Sequence, residues 1–309
     1  MPETRSLKFY QADVFTSQPF GGNPVAVFPD ANGLTDEQLQ KIAREMNLSE
    51  TVFVFPPSDP AAVVRLRIFT PTQEIPFAGH PVVGALYVLA QIGSVAAPES
   101  VTRVLYECNL GVFPVELHAR DGQVTRVVMT QPQPQFVGKV DDTEDLYKVA
   151  GALGISKPVI AETKWPLEVV STGLPVLIVP VRTLTAVRSI AANDEAIVEL
   201  CSRFGSNGIM VFTTVTVEPF ASVHARMFAP SIGISEDPAT GSAGGALGAY
   251  LVQHGVVEVA PSTELIIEQG YEIERPSSIL VQVESDDDVI QSVKVGGQCV
   301  MVAEGVLTF

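Results

Sequence analysis

The feature that most constrains this chain is a faint internal repeat. Gly22-Asn23-Pro24-Val25-Ala26-Val27 is echoed by Gly173-Leu174-Pro175-Val176-Leu177-Ile178, at an offset of 151 residues. Ser49-Glu50-Thr51-Val52-Phe53-Val54-Phe55 resembles Ser206-Asn207-Gly208-Ile209-Met210-Val211-Phe212 at an offset of 157. Arg67-Ile68-Phe69-Thr70-Pro71 resembles Arg226-Met227-Phe228-Ala229-Pro230 at 159, and Gly79-His80 aligns with Gly241-Ser242 at 162. The order is kept and the offset drifts slowly, as differences in loop length would cause. Four matches in order predict two copies of one domain, related by a pseudo-twofold. The 309 residues are enough for both cores, and Gln131-Pro132-Gln133-Pro134 suits the crossing between them.

Within one copy the hydrophobic pattern predicts an α+β unit. Residues 7–15, 25–28, 51–55, 62–69, 101–107, 111–118 and 123–130 read as strands separated by Gly, Pro and Asp. Thr35 caps a helix that ends near Asn47, with Leu39, Ile42, Ala43 and Met46 at helical spacing. A second helix, from about Pro81 to Gln91, is apolar nearly all round, which implies burial on every side. Its counterpart in the second copy covers about 242–253. Each domain is therefore expected to be a curved, mostly antiparallel sheet wrapped around one central helix.

A net charge of −16 repels phosphate backbones, so nucleic acid is not an expected partner. The acidic run Asp286-Asp287-Asp288 reads as a solvated loop between strands. Residues 1–15 lack the basic start and apolar core of a secretory signal. The longest apolar stretch, near 81–90, is far short of the ~20 residues that span a bilayer. Three widely spaced cysteines, Cys108, Cys201 and Cys299, fit a reduced cytoplasmic protein.

The starts of the two buried helices carry the candidate chemistry. Pro81 suits a first helical position, which leaves His80 near the cap. Asp237-Pro238 forms a rigid turn ahead of the Gly241-Ser242 start. Helix starts offer free N–H groups and partial positive charge, and so bind anions. If the two copies face each other, both starts aim at one cleft and can hold a carboxylate there with backbone alone. The other reading is that Gly241, Gly244 and Gly245 only permit close packing. Glu50 opens a strand, and its partner in the second copy is Asn207, so the cleft has a carboxylate on one side only. That asymmetry suits a group that moves protons, which enclosure would favour by raising its pKa. His80 and Asp237 would orient substrate or set local charge.

Other chemistries fit poorly. Thr240-Gly241-Ser242-Ala243-Gly244 lacks the first glycine of a nucleophile elbow, and no dinucleotide fingerprint follows a strand. Four scattered histidines without a cysteine pair give no metal set, so neither metal nor cofactor is expected. No cysteine falls at a helix start, which leaves a two-thiol racemase mechanism without residues.

As a set, Gly22–Phe28, Arg44–Thr51, Phe77-Ala78-Gly79-His80-Pro81, Asp237–Ala243, Gln269-Gly270 and Arg275-Pro276-Ser277 resemble the PhzF family of phenazine-biosynthesis-like proteins, which have the diaminopimelate-epimerase fold. The resemblance covers nearly the whole chain. It implies two barrel-like domains, residues 1–130 and 140–299, with the last strand, about 300–309, returning to the first. It also implies an active site in the cleft between them and a homodimer. The family's characterised biosynthetic member isomerises trans-2,3-dihydro-3-hydroxyanthranilate without a cofactor. On that resemblance Glu50 is the catalytic acid/base, His80, Asp237 and Ser242 assist, and Asn23, Ser49, Gly79 and Gly241 bind a small carboxylate substrate. Val82, Gly244, Gly245 and Glu274 depart from the family's usual residues and bear on which substrate is taken. An isomerase or epimerase of another hydroxy or amino acid, and a non-catalytic binding or scaffold protein of the same fold, remain alternatives.

Overall fold

A computed structural model describes residues 5–287 and 289–309. Asp288, the last of the acidic run, lies outside the described residues. The chain is a mixed α/β protein, mostly sheet, with seven α-helices among the described residues. It divides into two compact units, residues 1–130 with 296–309, and residues 131–295.

The first unit contains β1 (Ser6–Val14), β2 (Asn23–Phe28), α1 (Asp36–Met46), β3 (Glu50–Phe55), β4 (Val64–Phe69), β5 (Glu74–Ile75), α2 (Gly79–Gln91), β6 (Val101–Cys108), β7 (Gly111–Arg120) and β8 (Gln123–Thr130). The second holds β9 (Gln135–Val140), α3 (Thr143–Leu153), α4 (Lys157–Ala161), β10 (Leu167–Ser171), β11 (Pro175–Pro180), α5 (Leu184–Arg188), α6 (Asp194–Phe204), β12 (Ile209–Thr213), β13 (Val223–Ala229), β14 (Ile234–Asp237), α7 (Gly241–Gln253), β15 (Ser262–Gln269) and β16 (Ser277–Asp286). Strand β17 (Val289–Gly297) runs up to the return into the first unit, where β18 (Cys299–Thr308) lies antiparallel to β1.

Both units pair their strands in the same order. In the first, β1 lies between β18 and β2, β2 runs parallel to β3, β3 antiparallel to β4, and β4 parallel to β6 with β5 as a short antiparallel addition. In the second, β10 lies between β9 and β11, β11 runs parallel to β12, β12 antiparallel to β13, and β13 parallel to β15 with β14 added. Helix α2 packs against β1, β2, β3, β8 and β18, and α7 against β10, β11, β15 and β16. Both are buried nearly all round, as their uniformly apolar sequences require.

Helix α1 forms where its cap predicts. Thr35 accepts from the Gln38 N–H, Gln38 reaches back to the Thr35 N–H, and Asn47 closes the end in a left-handed conformation. Two expectations need correction. Helix α2 begins at Gly79, so Pro81 is its third residue rather than its first. Proline is harmless there because the first N–H groups of a helix have no intrahelical acceptor. The second unit also carries α3, α4 and α5, which the repeat did not predict. The signals for α3 were local: the Asp142 carboxylate accepts from Glu144 and Asp145 N–H groups, and Gly154 ends the helix at φ 68°.

One polar device occurs in both units. Arg67 grips Glu74 through two parallel hydrogen bonds of 2.8 and 2.6 Å, and Arg226 grips Glu236 through bonds of 2.8 and 2.7 Å. Each fork ties β4 to β5 or β13 to β14, just ahead of a buried helix start. Arg226 is buried and also donates to the Val187 and Ile190 carbonyls. Removing it would strand a half-buried carboxylate and two carbonyls. Arg226→Leu is therefore expected to cost about 3 kcal/mol in urea unfolding. A loss below about 1 kcal/mol, the scale of an exposed pair, would show that the fork holds nothing in place.

Candidate active site

In the first unit, three consecutive residues of β2 gather the predicted residues. The parallel register sets Val25 opposite Glu50, the first residue of β3. One residue back, Pro24 is bonded through its backbone to the His80 ring. Proline has no N–H, so its carbonyl accepts and the imidazole donates. One further back, the fully buried Asn23 accepts a 3.4 Å hydrogen bond from the Ser49 hydroxyl through Oδ1. His80, the second residue of α2, turns Nε2 to within 3.2 Å of Glu50 Oε2. Both side chains are buried, Glu50 at 8% exposure and His80 at 6%.

Glycines make this approach possible. A side chain at Gly84 would begin 2.5 Å from Val25 Cγ1, so its absence lets α2 lie directly on β2. Gly22, at φ 60°, turns the chain into Asn23 with the Val14 carbonyl where a Cβ would stand.

Burial dominates the titration of His80. It pulls the pKa down from 6.5 to about 3, opposed only by the Pro24 hydrogen bond, so the ring is neutral near pH 7. With one nitrogen donating to Pro24, the lone pair on the other is turned towards Glu50.

In the second unit, Asp237 closes β14 and accepts at Oδ2 a short hydrogen bond from the Thr240 hydroxyl. Thr240 is the cap residue of α7, yet its side chain makes no cap bond. Ala78 at the start of α2 makes none either. In contrast α1, α3, α5 and α6 are all capped by a side chain. Gly241 and Ser242 are the first two residues of α7, as Gly79 and His80 are of α2. Two buried residues that sequence reasoning missed hold this start from its carbonyl side. Gln131 donates to Gly241 O at 3.0 Å, and Thr172 donates to Ser242 O at 3.1 Å and to the Gln131 side-chain oxygen. A Cβ at Gly245 would sit 2.0 Å from that oxygen, which explains the glycine there.

The repeat partner of Glu50 also needs correction. Thr51 opposes Phe69 in β4 and Ile209 opposes Phe228 in β13, so if Phe69 corresponds to Phe228, as the sequence match has it, the counterpart of Glu50 is Gly208 rather than Asn207. The parallel ladders agree: Val25 opposes Glu50, and with Leu177 opposite Ile209 the match of Val25, Val176, falls opposite Gly208. Backbone pairing sets this register, and a one-residue slip would turn every side chain to the wrong face. Gly208 has no room for a side chain, because a Cβ there would lie 2.5 Å from the Phe228 carbonyl.

A second buried polar cluster also escaped sequence reasoning. His224 places Nδ1 2.6 Å from Glu268 and Nε2 3.0 Å from Glu272. Burial opposes its charge, but the two carboxylates prevail and its pKa is raised above 6.5. Among the described residues no cluster of His, Cys, Asp and Glu is arranged to hold a metal, and no helix is long and apolar enough to cross a membrane. The three cysteines are free and buried.

Comparison with known proteins finds relatives along nearly the whole chain. A family model described as phenazine biosynthesis-like protein matches residues 12–305. An uncharacterised isomerase of Clostridium acetobutylicum is 36% identical, with 96% of this chain and 97% of the relative aligned. The trans-2,3-dihydro-3-hydroxyanthranilate isomerase of Pseudomonas chlororaphis is 35% identical over the same shares. Among solved structures, a phenazine biosynthesis protein of the PhzF family from Bacillus anthracis superposes with a TM-score of 0.89 at 29% identity, covering 98% of this chain and 99% of that one. The fold and its relatives define an enzyme of the isomerase class. The chain belongs to the PhzF family of phenazine biosynthesis-like proteins.

The neutral His80 ring has a consequence for stability. The unfolded chain takes up a proton on this ring near pH 6.5, whereas the folded protein refuses it down to about 3. Between those values the unfolded state binds more protons. The His80 contribution is thus complete above pH 6.5 and lost as pH falls, by at most about 1.4 kcal/mol per pH unit. Unfolding free energy measured from pH 7 to 4 should show a shallower acid slope in His80→Gln than in wild type. Parallel slopes would place the acid sensitivity elsewhere.

Proposed function

We propose that this protein is a cofactor-independent isomerase that moves a proton within a small carboxylate-bearing substrate, with Glu50 as general acid and base. The observation that carries the proposal is the buried Glu50–His80 pair, 3.2 Å apart, with the ring neutral. Glu50 as a carboxylate removes a proton from a carbon activated by the substrate's own unsaturation or carboxylate. As a carboxylic acid it turns that proton towards the His80 lone pair, and then returns it at a second carbon. One proton leaves and one is delivered, so no redox partner is needed. Asp237 and Ser242 serve the same reaction by orienting the substrate's polar groups. The uncapped N–H groups at Gly79, with Asn23 and Ser49 in the same unit, offer donors to its carboxylate. The relatives named as acting on trans-2,3-dihydro-3-hydroxyanthranilate, a carboxylic acid, support the substrate class.

We further infer that the two units are copies of one barrel-like fold. The common pairing order, the buried helix in each unit and the recurring Arg–Glu fork support this reading. Catalytic divergence then has a specific form: Glu50 in one copy stands where Gly208 admits no side chain in the other.

The test is turnover of trans-2,3-dihydro-3-hydroxyanthranilate beside a panel of small hydroxy and amino acids. With an acid that wild type turns over, Glu50→Gln should lower kcat by at least ~10²-fold, the usual scale for losing general acid–base catalysis. KM should move far less. In D₂O the product should carry either solvent deuterium at the new position or the substrate's own proton, as one carboxylate permits. Near-normal turnover by Glu50→Gln would remove Glu50 from the chemistry, and binding without turnover across the panel would favour a binding protein.

A further inference from the structure

We infer that Gln269 is a positioning residue, which fixes the direction of the Asp237 carboxylate by committing the Thr240 hydroxyl to it. This deepens the proposed function and rests on the assignment of Asp237 to the reaction.

Gln269 ends β15, and its side chain is fully buried. Its Nε2 donates to the Asp237 carbonyl at 2.7 Å and to Thr240 Oγ1 at 3.2 Å, while its Oε1 accepts from the Thr240 N–H at 3.3 Å. The Asp237 carbonyl can only accept, so the amide orientation is fixed by the network. A hydroxyl that accepts from Gln269 must send its own proton elsewhere, and Thr240 sends it to Asp237 Oδ2. The side-chain order is therefore Gln269 to Thr240 to Asp237, while the Thr240 N–H donates back to Gln269 Oε1.

The surroundings hold Gln269 in turn. It stands opposite Ala225 in β13 and Ser277 in β16. Ser277 donates to the Gln269 carbonyl at 2.9 Å and to the Pro238 carbonyl at 3.1 Å. Gly270, at φ 81°, lets Pro238 approach to where a Cβ would lie only 2.5 Å from its carbonyl oxygen. The whole turn from Asp237 to Thr240 thus rests on the end of β15 and the start of β16. A single amide serves both the carboxylate and the cap residue of α7.

The test compares Gln269→Met, Gln269→Glu and Asp237→Asn with the intact chain. Gln269→Met keeps size and removes the hydrogen bonds. Amide exchange at Thr240 should quicken about tenfold, the equivalent of one lost hydrogen bond. With trans-2,3-dihydro-3-hydroxyanthranilate, or the panel acid that wild type turns over, kcat should fall about 10- to 100-fold with KM little changed. Gln269→Glu supplies the distinguishing readout. Its introduced carboxyl group can donate only when protonated, so its activity relative to wild type should recover in part as pH falls, whereas that of Gln269→Met should not. Unchanged Thr240 exchange and kcat in Gln269→Met would overturn the proposal. So would equal losses in both Gln269 variants at every pH, which would reduce Gln269 to packing. Wild-type turnover by Asp237→Asn would instead strike the assignment of Asp237, and is read separately from the exchange result.

Discussion

Two helices buried on nearly every side set the terms for this fold. A helix with no solvent face needs strands along most of its circumference, and α2 packs against five and α7 against four. It also needs glycines wherever a strand comes close, as at Gly84 against Val25 and at Gly248 against Val281. The same burial leaves its first N–H groups in the interior, where an unmet donor is costly. Neither helix meets them with a cap side chain. The first turn of each helix therefore presents partial positive charge and N–H groups that no cap side chain meets.

The predicted residues of the first unit are close together because of one parallel ladder. β2 and β3 are joined through α1, and their register sets Val25 opposite Glu50, with Asn23 bonded to Ser49 and Pro24 to His80 of the α2 start. Burial then does the electrostatic work: it strips the His80 ring of charge and leaves a lone pair facing a carboxylate. In the second unit the Phe228 carbonyl leaves no room for a side chain at Gly208. Polar side chains there, Gln131, Thr172 and Gln269, are devoted to holding the α7 start and the turn before it.

Much of this was legible in the chain. Thr35 and Gln38 announce a capping box, the apolar runs near 81–91 and 242–253 announce buried helices, and four ordered matches announce two similar units. The positions of Glu50, His80, Asp237 and Ser242 could be marked because each adjoins one of those helix starts or strand ends. Helices α3 to α5 were missed because the repeat was trusted over local caps such as Asp142 and Gly154. Gln131 was read only as part of a Pro-rich crossing, and nothing in its neighbours ties it to Gly241, 110 residues away.

The sequence by itself determined the local elements, the buried character of α2 and α7 and the family to which the chain belongs. These follow from periodicity, capping and short motifs that act over a few residues. Only the tertiary structure decided that the Phe228 carbonyl leaves no room for a side chain at Gly208, that His80 is neutral, and that Gln269 reaches Asp237 through Thr240. Each depends on backbone ladders or on burial among residues distant in sequence. The physical reason is that register and desolvation are properties of packed strands, and no local pattern of side chains records them.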